Sequence, residues 1–151
     1  MKGRLLPRGQ YEKHLNDLNG ACAFCTMTDD LNIKAYENWV LAYAAYPYRK
    51  YHVLLISKRH ITNLCELTPE ELTEFARITE DVNKMYEEAG IVGVNSKYGD
   101  QLFLCWRTRG NDEVGKKSVA HLHLHFYPEA SKEINIVLDD SAWDTDLTLL
   151  K

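Results

Sequence analysis

The segment SVAHLHLHFYP, residues 118–128, places His121, His123 and His125 at every second position, with Leu122, Leu124 and Phe126 following them in turn. Successive side chains of a strand point to opposite faces, so the three imidazoles share one face and the apolar residues share the other. The apolar face belongs in a core. Burying three imidazoles side by side without polar partners would cost free energy, so their face must look into a polar site, a metal or solvent. Same-face neighbours lie roughly 7 Å apart, so the rings can serve one site without all touching one atom. Two chemistries fit this pattern. The histidines could be ligands of one catalytic Zn²⁺ that activates a water. Alternatively, one histidine is a nucleophile or base, and its neighbours orient it and the substrate. An edge strand with three surface histidines would leave the regular placement to chance.

A second constellation bears on the choice. ACAFCTM contains Cys22-x-x-Cys25, a spacing that lets both thiolates reach one tetrahedral Zn²⁺, which then needs two further ligands. His60, in SKRHI, is the natural third, and one member of the histidine strand can be the fourth. Such a Cys₂His₂ site is closed and structural. A redox pair or two buried thiols are the other readings of the two cysteines, but no βαβ pattern surrounds them to favour redox chemistry. Cys65 and Cys105 sit in apolar patterns and are expected in the core. If zinc takes His121, then His123 and His125 are left for chemistry. Neutral imidazole attacks phosphorus, and a neighbouring histidine can hold a phosphoryl oxygen or assist a leaving group.

These residues need a scaffold. The chain has 151 residues, 45% of them hydrophobic and 26% charged, which suits one soluble globular domain spanning 1–151. Its formal net charge of −4 speaks against a duplex nucleic-acid surface, so a nucleic-acid-like ligand should be small and held in a pocket. No window is apolar for long enough to span a bilayer. The start breaks at Pro7 and turns polar, unlike a secretory signal, so a cytoplasmic location with reduced thiols is expected. Strands are expected over 39–46 and 52–58 as an antiparallel pair, then over 91–98, 102–108 and 118–127, with a short one at 134–138. The long helix is TPEELTEFARITEDVNKMYEEAG. Thr68 N-caps it, Pro69 takes its first position, Glu71 completes a capping box and Gly90 stops it. Its apolar stripe is expected to be Leu72, Phe75, Ala76, Val82, Tyr86 and Ala89. The fold class is therefore α+β, a mostly antiparallel sheet of five or more strands with one long helix packed on it. The acidic tail DDSAWDTD carries no assigned chemistry.

HLHLHFY is His-φ-His-φ-His-φ-φ in full, and the chain resembles the histidine triad superfamily of nucleotide hydrolases and nucleotidyl transferases. The stretch YENWVLAYAAYPYRKYHVLLISKRHITNLCELTPEEL is similar to that family's first half, and the preceding CxxC to its zinc-binding branch of diadenosine polyphosphate hydrolases. The likeness covers about residues 20–130. It implies a homodimer acting on the α-phosphate of a small-molecule nucleotide, such as a dinucleoside polyphosphate or nucleoside phosphoramidate. By the same correspondence His123 forms a nucleotidyl-histidine intermediate, His125 contacts the phosphoryl oxygens, His52 sits at the edge of the site and Ser118 bonds the phosphate. Structural Zn²⁺ would be held by Cys22, Cys25, His60 and His121. The loop RTRGNDEVGKKSVAHLH departs from the family pattern. Gly115 lies one residue further from the first histidine than usual, Asn111 is out of register, and Ser57 replaces the usual proline. Lys116 and Lys117 are candidates to grip a polyphosphate or another anionic leaving group, or are solvated loop lysines. Two other readings stay open: a metal-dependent hydrolase with the whole triad as ligands, and a non-catalytic nucleotide sensor.

Overall fold

The structure is a computed structural model and describes residues 5–91, 101–105, 119–129 and 142–151. Seven elements matter to the site: α1 (Tyr11–Asp17), β1 (Asn32–Ala35), β2 (Trp39–Tyr43), β3 (Val53–Ser57), α2 (Pro69–Glu88), β4 (Gln101–Cys105) and β5 (His123–Glu129). The strands form one antiparallel five-stranded sheet in the order β1-β2-β3-β5-β4. Among the described residues, no helix is long and apolar enough to cross a membrane.

Alternation along the central strands gives the sheet two different faces. Trp39, Leu41, Tyr43, Val53, Leu55, Leu122, Leu124 and Phe126 are buried together with Ile78, Val82 and Tyr86 of α2, forming the main core. On the opposite face Ala42, Ala44, Leu54 and Ile56 form a smaller apolar patch against Phe24 and Met27. His123 pairs with Ile56 and His125 with Leu54, so the histidines lie on this second face.

Helix α2 begins as expected, with the Thr68–Glu71 capping box and Pro69 in its first turn. It ends at Gly90, whose φ of +65° is the left-handed geometry that favours glycine. Its stripe differs from expectation. Leu72 is 53% exposed and Ala76 is also exposed, whereas Ile78 is buried. The helix is rotated because Glu71 is drawn inward: its backbone carbonyl accepts the Trp39 Nε1–H and its carboxylate meets Arg59. One residue is about 100° of helix, so Leu72 turns to solvent.

Four other expectations change. The first strand stops at Tyr43, β1 was not anticipated, and Cys65 is exposed on a 3₁₀ turn rather than in the core. The histidine strand starts at His123, so His121 lies in an irregular segment just before it. Cys22, Cys25 and Cys65 are free thiols, and the Cys105 side chain is outside the described set. Of the strand expected over 91–98 only Ile91 is described, and it lies in no strand; residues 92–98, the strand expected over 134–138 and residues 106–108 of another fall outside the described residues.

Candidate metal centre and histidine cleft

The segment 22–26 is a tight turn in which the Thr26 amide and hydroxyl both donate to the Cys22 carbonyl, at 3.2 and 2.9 Å. This presents Cys22 and Cys25 on one side, facing His60 and His121. The four ligand atoms all lie within 4.8 Å of one another. Cys22 Sγ is 3.4 Å from His121 Nδ1, while Cys25 Sγ is 3.1 Å from His60 Nδ1 and 3.6 Å from His121 Nδ1. A tetrahedron built on ordinary zinc–sulfur and zinc–nitrogen bond lengths has S···N edges of about 3.6 Å. The donor set and its spacing therefore fit a tetrahedral ion.

Neighbouring groups prepare the ligands. His121 Nε2 lies 2.6 Å from the Ser57 carbonyl, which can only accept, so the ring proton is on Nε2 and Nδ1 is left as the ligand atom. His121 is 2% exposed, and burial pushes its pKa down, favouring the neutral form a metal requires. The Ser57 amide and hydroxyl donate in turn to the Leu122 carbonyl, at 3.2 Å each. His60 follows Arg59, whose guanidinium makes two bonds to Glu71, at 2.6 and 2.9 Å. The loop carrying the third ligand is thus clamped to the start of α2.

The other histidines form a separate chain. His123 Nδ1 is 2.7 Å from the His121 carbonyl and must donate to it, which leaves the lone pair on Nε2. The Tyr48 amide donates to His52 Nδ1 at 3.2 Å, so the proton of neutral His52 is on Nε2. That nitrogen lies 2.9 Å from His125 Nδ1, which therefore accepts, putting the His125 proton on its own Nε2. His123 and His125 meet edge to face, with ring centroids 4.9 Å apart. The three histidines are consequently arranged as one lone-pair donor beside one hydrogen-bond donor, the latter fixed by His52. His52 comes from the turn before β3, where Tyr51 has a φ of +59° and its carbonyl accepts the Tyr86 hydroxyl of α2.

These histidines line a cleft of about 340 Å³ on the second face of the sheet. His52, His121, His123 and His125 meet there, and His121 is shared with the candidate metal site. Ser118, Lys116 and Lys117 lie outside the described residues. Sequence reasoning missed several aromatic neighbours. Phe24, inside the CxxC turn, sits 4.8 Å from the His123 ring and 5.7 Å from that of His121, ring centre to ring centre. Tyr11, His14 and Tyr46 also line the cleft. A residue between two metal ligands has little freedom to point elsewhere, and that constraint was the available signal for Phe24.

An antiparallel α+β sheet that sets alternating histidines beside a Cys₂His₂ cluster defines a narrow class of protein. The family pattern described as HIT domain matches residues 28–132, and the chain belongs to that family. It is 31% identical over 78 residues to a galactose-1-phosphate uridylyltransferase of Neurospora crassa, a match covering 52% of this chain and 19% of that protein. The chain thus spans about a fifth of this curated relative. The structure is similar to that of a histidine triad nucleotide-binding protein from Candida albicans, with 18% identity, a TM-score of 0.59 and coverage of 74% and 77% of the two chains. It is also similar to a zinc-bound histidine triad family protein from Mycobacterium smegmatis, with 21% identity, a TM-score of 0.58 and coverage of 86% and 90%. At these identities the likeness to the solved structures is one of fold.

Proposed function

We propose that this protein is a nucleotide hydrolase or nucleotidyl transferase that attacks the α-phosphate of its substrate through His123. The observation that carries the proposal is the hydrogen-bond geometry from which the tautomers follow: His123 Nδ1 lies 2.7 Å from the His121 carbonyl, leaving a lone pair on Nε2, and His125 Nδ1 lies 2.9 Å from His52 Nε2, whose own Nδ1 accepts from Tyr48, which puts the His125 proton on Nε2. His123 Nε2 forms a bond to the α-phosphorus while the bond to the leaving group breaks, and the leaving group departs with the bonding pair and takes a proton from solvent. His125 Nε2–H donates to a non-bridging oxygen whose charge grows in the transition state. Water, or another hydroxyl acceptor, then forms a bond to the phosphorus and releases its proton to solvent, while the P–Nε2 bond breaks and its pair returns to His123. Ser118 would bond the phosphate, and Lys116 and Lys117 an anionic leaving group. The proposed substrates are dinucleoside polyphosphates or nucleoside phosphoramidates, and the enzyme is one domain spanning 1–151 that pairs as a homodimer and works in the cytoplasm.

The metal is assigned as structural Zn²⁺ on Cys22, Cys25, His60 and His121. Bound there, it would supply a rigid crosslink rather than an activated water, because the four protein ligands would fill a tetrahedral site. Incubation with a panel of these substrates, followed by mass spectrometry of the trapped chain, should find a nucleotidyl adduct on His123. No adduct and no monophosphate from any substrate would favour a sensor. Loss of zinc in His123→Ala but not in Cys22→Ala would favour the metal hydrolase instead.

A further inference from the structure

We propose that α1 is a specificity wall that binds a planar aromatic ring of the substrate, an assignment that rests on the nucleotide reading above. Tyr11, His14 and Leu18 stand at i, i+3 and i+7, which puts them on one face of a helix, and all three line the histidine cleft. The opposite side of the helix carries an exposed Lys13–Asp17 pair at 2.8 Å. Helix α1 precedes the residues matched by the family pattern, so this wall is an addition to the part of the chain that carries the triad. It is also held in place. Leu5 is buried in the main core and the Leu6 amide donates to the Ala45 carbonyl at 2.8 Å.

Tyr46, on the segment after β2, joins the wall to the sheet. Its ring lies 5.2 Å from that of Tyr11 and 5.3 Å from that of His14. A cluster whose only task was to anchor the helix would bury its rings. Here Tyr46 is buried, whereas Tyr11 and His14 remain partly exposed and face the cleft. Among the described lining residues there is no carboxylate, ammonium or guanidinium. The wall thus offers π-faces and apolar contact without charge, which suits a ring that stacks.

Either the nucleobase or an aromatic leaving group supplies such a ring, and affinity measurements separate them. In a His123→Ala background, which removes the nucleophile, calorimetry would compare adenosine monophosphate with ribose 5-phosphate. It would also compare adenosine phosphoramidates carrying an aromatic amine or methylamine. Tyr11→Leu and His14→Leu, which keep apolar bulk, should weaken every ligand that carries the ring the wall binds about 5- to 150-fold, the range for loss of base stacking, and leave ligands without that ring unchanged. Tyr11→Phe should restore binding. A loss for adenosine monophosphate assigns the base, and a loss only for the aromatic amine assigns the leaving group. Unchanged affinities in both pairs, a loss for ribose 5-phosphate as large as that for adenosine monophosphate, or equal losses for the two phosphoramidates with none for adenosine monophosphate, would overturn the wall. Adduct formation on His123 in the otherwise unaltered chain is scored separately. An adduct with ring-independent binding refutes the wall alone, and ring-dependent binding without an adduct refutes the nucleophile alone.

Discussion

His52 is 2% exposed, and both of its ring nitrogens are engaged, one accepting from the Tyr48 amide and the other bonding His125. A buried imidazole left without such bonds would carry the full cost of desolvation, about 1–3 kcal/mol. Its arrangement stabilises the turn and also sets the side of His125 on which the proton resides. Replacing His52 with alanine frees His125 to rotate and to exchange tautomers, while His123 keeps its bond to the His121 carbonyl. We expect His52→Ala to lower kcat by about 10- to 100-fold with little change in KM, because a misplaced donor acts on the transition state. Steady-state kinetics on a good phosphoramidate substrate check this. A loss confined to KM would mean that His52 only shapes binding. Of the site residues, the two cysteines, His60 and the triad were legible in sequence because their spacing is itself a chemical statement. The partnership of His52 with His125 was not: it follows from the pairing of Leu54 with His125 across β3 and β5, which no local pattern announces.

At the scale of elements, the start of α2 and the loop after β3 act as one unit. Glu71 closes the capping box and accepts two bonds from Arg59, and the Arg59 guanidinium is the first cause of a Glu71 pKa lowered to about 2. A carboxyl held below its usual value stabilises the fold at pH above the unfolded value of 4.5, and the contribution disappears as pH falls through about 2. Glu71→Gln keeps most of the helix cap but loses the charge pairing. The variant should be less stable at pH 7 by about 1–3 kcal/mol, the range for hydrogen bonds to charged groups, somewhat reduced by the water around Arg59. Urea unfolding at pH 7 and pH 3 checks the sign, since the gap between the two chains should narrow at the lower pH. A gap that widens on acidification would contradict this account. The long helix was readable because it has a capping box, a helical period and a glycine stop, and β2 and β3 because each is a short, nearly continuous apolar run beside a turn-prone segment, although β2 ends at Tyr43. Helix α1 has seven residues with none buried, and β1 has four with none fully buried, so neither shows a local pattern strong enough to distinguish it from a loop. Both are held by contacts distant in sequence, α1 by the Tyr46 ring against Tyr11 and His14, and β1 by the Lys34–Asp81 ion pair to α2.

For the whole molecule, an ion held by the candidate metal centre would join parts of the chain that the main core does not hold. Cys22 and Cys25 belong to the segment on the second sheet face, His60 to the loop after β3, and His121 to the approach to β5. The core between the sheet and α2 contains none of these ligands, so it should survive removal of the ion. What should not survive is the geometry of the cleft. Phe24 sits between the two cysteines and packs on His123, and the carbonyl that orients His123 belongs to His121. Binding energy for an ion that exists only in the folded state adds directly to folding stability. We therefore expect chelation, or Cys25→Ser, to lower Tm by several degrees, given that about 1 kcal/mol shifts Tm by 2–4 °C in a chain of this size. The far-ultraviolet circular dichroism at room temperature should remain largely native. Turnover should fall together with zinc content, and adding zinc back to the chelated chain should restore both. Full activity in zinc-free protein would show that Phe24 and the His121 carbonyl position His123 without help from the metal. Complete unfolding on chelation would show instead that the core is too small to stand without the crosslink.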